Sequence, residues 1–137
     1  MRKINYIVVH CTATQPTATI EAIQRYWREQ LKWKVPGYHF IIKADGEVIQ
    51  LLDIATSSNG VAGYNSQIIN VCYIGGVDTH GLPKDTRTEA QKESLITCLT
   101  RLKKLFPSAT IQGHRNFPKV NKACPSFDAK KEYANLK

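Results

Sequence analysis

With 137 residues, 42% of them hydrophobic and 22% charged, the chain is long enough to bury a core as one domain without disulfide staples, and its composition argues against disorder. A net charge of +8 favours anionic partners such as nucleic acid, acidic polymers or a negatively charged envelope, and says nothing about fold. The opening stretch MRKINYIVVHCTAT carries too short an apolar run for a secretory signal, and no run approaches a membrane-spanning length. Synthesis in the cytoplasm is therefore expected, with any work outside requiring release by another route.

Residues 4–11 (INYIVVHC) read as a first strand, rich in β-branched residues and followed by the loop TATQPTA. Thr19 then caps a helix expected to run to about Trp33, with Ile20, Ile23, Trp27 and Leu31 on one face. Pro36 and Gly37 end that region. Two β-rich runs, 38–43 and 47–52, flank Ala44-Asp45-Gly46, and an Asp-Gly pair between such runs signals a hairpin. Residues 54–67 are loop-like, and 69–76 (INVCYIGG) form a buried strand ending in a glycine pair. The strongest helix spans about 88–106, opened by a Thr88/Gln91 capping box and striped by Leu95, Leu99, Leu102 and Phe106. A short strand (ATIQGH) delivers His114 to a loop rich in proline and lysine, and a last short helix begins near Ser126. No repeat or linker interrupts this order. The fold class expected is α/β: one domain over 1–137, with a mixed central sheet flanked by helices.

Four cysteines, Cys11, Cys72, Cys98 and Cys124, form no C-x-x-C pair, and the lack of a signal argues against a disulfide framework. The first three lie in apolar-periodic segments and read as buried thiols. Cys124 stands instead in the polar, kinked stretch KACPSF, between Lys122 and Pro125. Two histidines, His10 and His114, end strands, where loops are free to shape a site on a rigid scaffold. Either alone is most simply a hydrogen-bonded structural histidine. With Cys124 they make a nitrogen, nitrogen, thiolate set, and three protein ligands leave zinc a fourth position for water. Tyr38 could orient a catalytic water, and Lys122 could stabilise an oxyanion. Taken singly, they read as an amphipathic core tyrosine and a solvated lysine. His39 reads as structural, facing away from Tyr38 if both lie on a strand. His80 reads as solvated, Asp45 as a turn residue and Asp128 as a helix cap.

The segments VVHCTAT, PGYHFIIKADG, GYN, IGG, GHRNF and KACPSFD occur in that order. Over nearly the whole chain this resembles the zinc-dependent N-acetylmuramoyl-L-alanine amidases of the phage lysozyme and peptidoglycan recognition type. The resemblance implies one zinc ion per chain on His10, His114 and Cys124, and catalytic roles for Tyr38 and Lys122. It implies peptidoglycan as partner, cut between N-acetylmuramic acid and L-alanine, by a monomer that neither inserts into a membrane nor binds nucleic acid. The protein would act as an endolysin, degrading the cell wall after release. No carboxylate stands out as general base. Trp27, Asn59 and Asn70 depart from the residues common in the family; none is expected to touch the proposed metal set, and they are expected to alter contacts to the glycan and stem peptide.

Three other readings compete. Cys124 could be the nucleophile of a cysteine hydrolase with His114 as base. A non-catalytic peptidoglycan-binding module is the second, although such members usually lack the cysteine ligand. A nucleic-acid binder suits the charge, but neither a helix-turn-helix nor an aromatic-basic RNA motif is present.

Overall fold

A computed structural model describes residues 2–136 and places them in a five-stranded sheet with helices packed against it. The elements in chain order are β1 (Tyr6–Cys11), α1 (Ile20–Glu29), β2 (Phe40–Ile42), β3 (Val48–Gln50), β4 (Ile68–Tyr73), α2 (Glu89–Leu105), β5 (Thr110–Gly113) and α3 (Ala129–Glu132). The strands lie in the order β3-β2-β4-β1-β5. β2, β4, β1 and β5 run parallel, and β3 closes one edge antiparallel to β2 through the expected Asp-Gly hairpin. The mixed sheet read from the sequence is the one found.

β1 is covered on both sides, so Ile7, Val8 and Val9 are buried in succession rather than alternating. One face receives Ile7, Val9 and Cys11 with Ile69, Val71 and Tyr73, over which α2 lays Leu95, Leu99 and Leu102. Burying each of those leucines stabilises the docked helix by about 2 kcal/mol. The capping box of α2 is complete: Thr88 Oγ1 accepts from the Gln91 N–H, and the Gln91 side chain accepts from the Thr88 N–H. The buried Gln91 amide also donates to the Ile42 and Ile74 carbonyls, tying the helix start to two strand ends. The opposite face carries Ile41, Cys72 and Ile74 under Ile23 and Trp27 of α1. On the same face Val8 and Ile68 pack with Phe117 and Val61.

Several boundaries differ from the sequence reading. α1 stops at Glu29 rather than Trp33, because Lys32 takes a left-handed φ of 58° and the chain folds back. The Trp33 N–H then donates to the Trp27 carbonyl, and the two indoles stack with centroids 6.3 Å apart. Leu31 is consequently half-exposed instead of part of a helical stripe. β2 begins at Phe40, so Tyr38 and His39 precede the strand and strand alternation does not separate them. Cys11 and Cys72 are buried as expected, whereas Cys98 is only partly so; all four thiols are free. His80 is exposed, Asp45 accepts from the Glu47 N–H in the hairpin turn, and Asp128 caps α3.

Candidate active site

His10 is the penultimate residue of β1, and His114 follows the last residue of β5, the strand beside it. Parallel neighbours end on the same side of the sheet, so residues more than a hundred positions apart meet at one rim. Cys124 reaches the rim on a returning loop held by several anchors. The Arg115 N–H donates to the Cys124 carbonyl, Tyr73 donates to the Pro125 carbonyl, and Ser126 donates to the Gly76 carbonyl. Gly76 has φ 101°, and a Cβ there would lie 2.4 Å from Cys11 Sγ. Its lack of a side chain lets the thiol pack at the strand end.

Farther along, Arg87 fixes the segment that follows. Its guanidinium, with a side chain only 3% exposed, forms a two-pronged pair with Glu132 and another with Asp85, and it donates to the Tyr133 hydroxyl. It also lies 3.4 Å above the centroid of the Phe127 ring. α3 and the Cys124 loop are thereby fastened to the body of the protein.

The outcome is a compact triad: the potential ligand atoms of His10, His114 and Cys124 all lie within 4.8 Å of one another. His10 Nδ1 stands 3.9 Å from Cys124 Sγ, and the imidazole centroids of His10 and His114 are 4.9 Å apart. Tetrahedral zinc would hold nitrogen and sulfur ligands about 3.5 Å apart, so small side-chain adjustments suffice. Electrostatics suits the donors to a cation. Burial, together with His114, pushes the His10 pKa down to about 3; burial and Lys122 push His114 down to about 4. Both imidazoles are therefore neutral at pH 7 and keep a lone pair. The adjacent Cys11 thiol and burial push the Cys124 thiol well up, while the Cys11 backbone N–H donates to Cys124 Sγ at 3.2 Å and favours the thiolate.

Tyr38 and Lys122 join this cluster. The Tyr38 ring lies 5.0 Å from His10 and edge-on to Trp27, centroid to centroid 5.4 Å. Burial and the neighbouring cysteines raise its pKa well above the usual phenol range, so the hydroxyl stays protonated. Lys122 is exposed beside His114, and both it and Tyr38 line a groove of about 720 Å³ with the triad. Trp27, Tyr26 and Leu31 supply an apolar wall, and among the described residues no carboxylate lines the groove.

The expectation that the three unusual residues stay clear of the proposed ligands fails at Asn70. That side chain, fully buried on β4, accepts a hydrogen bond from His10 Nε2 at 2.6 Å. The reason is register: Asn70 sits opposite Val8 on the neighbouring strand, and His10 lies two residues farther on the same face. Trp27, too, touches the cluster through Tyr38. His39 is structural, as read, but belongs to this face. Its Nδ1 accepts from the Asn70 N–H at 3.0 Å, and its Nε2–H donates to the Thr56 carbonyl at 2.7 Å. An asparagine inside an apolar strand was the one sequence signal that could have exposed this network.

Comparison with known proteins agrees with the geometry. The family model described as N-acetylmuramoyl-L-alanine amidase matches residues 1–127. The endolysin of Klebsiella phage KP32 is 37% identical over 131 residues, covering 95% of this chain and 85% of that protein. The endolysin of Escherichia phage T7 is 38% identical over 126 residues, 91% of this chain and 82% of its own length. Among solved structures, the N-acetylmuramoyl-L-alanine amidase LysC from Clostridium intestinale superposes with a TM-score of 0.80 at 23% identity, over 99% of this chain and 88% of that one. At that identity the superposition speaks for the fold. The extent of the family match and the identity to the phage endolysins go further: the chain belongs to the N-acetylmuramoyl-L-alanine amidase family.

Proposed function

We propose that this amidase, as one domain over residues 1–137, cuts the amide between the lactyl group of N-acetylmuramic acid and L-alanine, using one zinc ion held by His10, His114 and Cys124. The observation that carries the reading is the convergence of these three donors within 4.8 Å at the floor of a groove in a chain of this family. Bound by three protein ligands, zinc supplies a nucleophile at neutral pH by lowering the pKa of water towards about 7, and it polarises a carbonyl.

The chain's own groups account for the rest. His10 and His114, neutral at pH 7, are ready to donate their lone pairs. Tyr38, held as the neutral phenol, donates a hydrogen bond to the attacking water or the scissile carbonyl. The Lys122 ammonium faces the same groove and stabilises negative charge developing on the carbonyl oxygen. The apolar wall of Trp27, Tyr26 and Leu31 holds the substrate and limits water around the reacting amide. With a net charge of +8, the protein suits a wall layer bearing carboxylates, which it would reach as a monomer after release from the cytoplasm. Among the described residues no helix is long and apolar enough to cross a membrane.

The thiol-hydrolase alternative finds less support. The imidazole contact of Cys124 Sγ is to His10 Nδ1 at 3.9 Å, whereas that reading pairs the thiol with His114. Mass spectrometry of digested peptidoglycan tests the reading. Released stem peptides with free L-alanine amino termini and intact glycan strands are expected; cuts only within the glycan or the peptide would contradict it.

A further inference from the structure

We propose that Asn70 is a positioning residue for His10, fixing the imidazole so that Nδ1, and not Nε2, faces the proposed metal. The inference rests on the zinc reading above and concerns a residue that neither holds the metal nor lines the groove. Asn70 is 0% exposed, and an amide buried in an apolar strand is costly unless its bonds are met. In the orientation found, both ends of the amide are met. Oδ1 accepts from His10 Nε2–H at 2.6 Å, and Nδ2 donates to Ser58 Oγ, also at 2.6 Å.

The Asn70 backbone N–H donates to His39 Nδ1, so His39 carries its proton on Nε2, where it donates to the Thr56 carbonyl. The Ser58 oxygen, 3.4 Å from His39 Nδ1, accepts from the Asn70 amide. Turning the amide over would set its NH₂ against His10 Nε2, which would then accept and leave the ring proton on Nδ1, towards Cys124 Sγ; only the orientation found leaves the Nδ1 lone pair free. Space is reserved as well: a Cβ at Gly60 would stand 2.3 Å from the Asn70 Cγ, Oδ1 and Nδ2. In a neutral imidazole one nitrogen donates and the other accepts. Holding Nε2–H against Asn70 therefore leaves the Nδ1 lone pair towards Cys124 Sγ. A partner on the far nitrogen of a ligating histidine sets ring orientation and basicity, and losing one typically weakens metal affinity ten- to a hundredfold.

Two measurements decide it. In metal-free wild-type protein with ¹⁵N-labelled histidine, long-range ¹H–¹⁵N correlation at neutral pH should find His10 in the Nε2–H form; an Nδ1–H form would overturn the proposal. Zinc affinity, read by competition with a chromophoric chelator, should fall about ten- to a hundredfold in Asn70→Ala and Asn70→Leu. It should return to within a few-fold of wild type in Asn70→Asp, which keeps the acceptor. Equal affinity in the wild type, Leu and Asp proteins would also overturn it, as would an Asp variant as weak as Leu. Should Asn70→Ala not fold, the wild-type tautomer and the Leu–Asp contrast still decide. A wild-type protein that binds no zinc would instead defeat the zinc reading, with the tautomer measurement standing apart.

Discussion

Replacing Gly60 with alanine isolates the packing beneath the site. Gly60 does not have a left-handed φ, so an alanine backbone is tolerated and the effect lies in the side chain alone. The new methyl carbon would sit 2.3 Å from three atoms of an amide pinned by two hydrogen bonds of 2.6 Å. Asn70 must move, and both bonds are lost or stretched. Each buried hydrogen bond is worth about 1 kcal/mol, and overpacking adds about 1–3 kcal/mol, so Gly60→Ala should cost about 3 kcal/mol. For a chain of this size that is a fall in Tm of roughly 10 °C. In an Asn70→Ala background the methyl enters vacated space and should cost less than about 1 kcal/mol. Urea unfolding of the four metal-free proteins of this cycle gives the coupling, expected near 2 kcal/mol. Equal costs of Gly60→Ala in both backgrounds, within about 0.5 kcal/mol, would refute the packing argument.

Tyr38→Phe and Lys122→Ala should fold and keep zinc, while turnover on peptidoglycan falls about a hundredfold or more, measured as free L-alanine amino termini released. Wild-type turnover in Lys122→Ala would return that residue to a solvated lysine. Cys124→Ser should lose zinc affinity itself, because a neutral hydroxyl replaces a thiolate; chelator competition reads this directly. Arg87→Leu should destabilise the protein by about 2 kcal/mol, through lost charged hydrogen bonds and ring stacking. Hydrogen bonds from Arg87 lower the pKa of Glu132, and they outweigh burial to lower that of Asp85. A depressed carboxylate stabilises the fold above its unfolded pKa of about 4 and loses that contribution as pH falls through the folded value. Urea midpoints at pH 7 and pH 3 should thus differ less in Arg87→Leu than in wild type; an equal difference would show that the clamp does not titrate.

Local rules made much of the fold legible. The Thr88/Gln91 capping box and the Leu95, Leu99, Leu102 stripe located α2 to within a residue, because capping chemistry and a helical period are both short-range. Asp45-Gly46 fixed the hairpin for the same reason. What escaped depended on contacts across the chain. α1 ends early because Trp33 turns back onto Trp27, a tertiary preference that overrides a continuing amphipathic pattern. His10, His114 and Cys124 were separable from ordinary structural residues only as a set, and their meeting follows from β1 and β5 being neighbours, which spacing alone does not reveal. Asn70 was visible as an odd residue in a buried strand, but its partner was not. The bond to His10 depends on the β1–β4 register, a non-local property.

The most direct test of the mechanism follows one metal through one reaction. Protein purified without a metal-binding tag should carry one zinc per chain by elemental analysis. Stripping it with a chelator should abolish cleavage of the muramoyl–alanine bond, and one equivalent of zinc should restore it. A metal-free preparation that cleaves this bond at the full rate would contradict zinc catalysis at His10, His114 and Cys124.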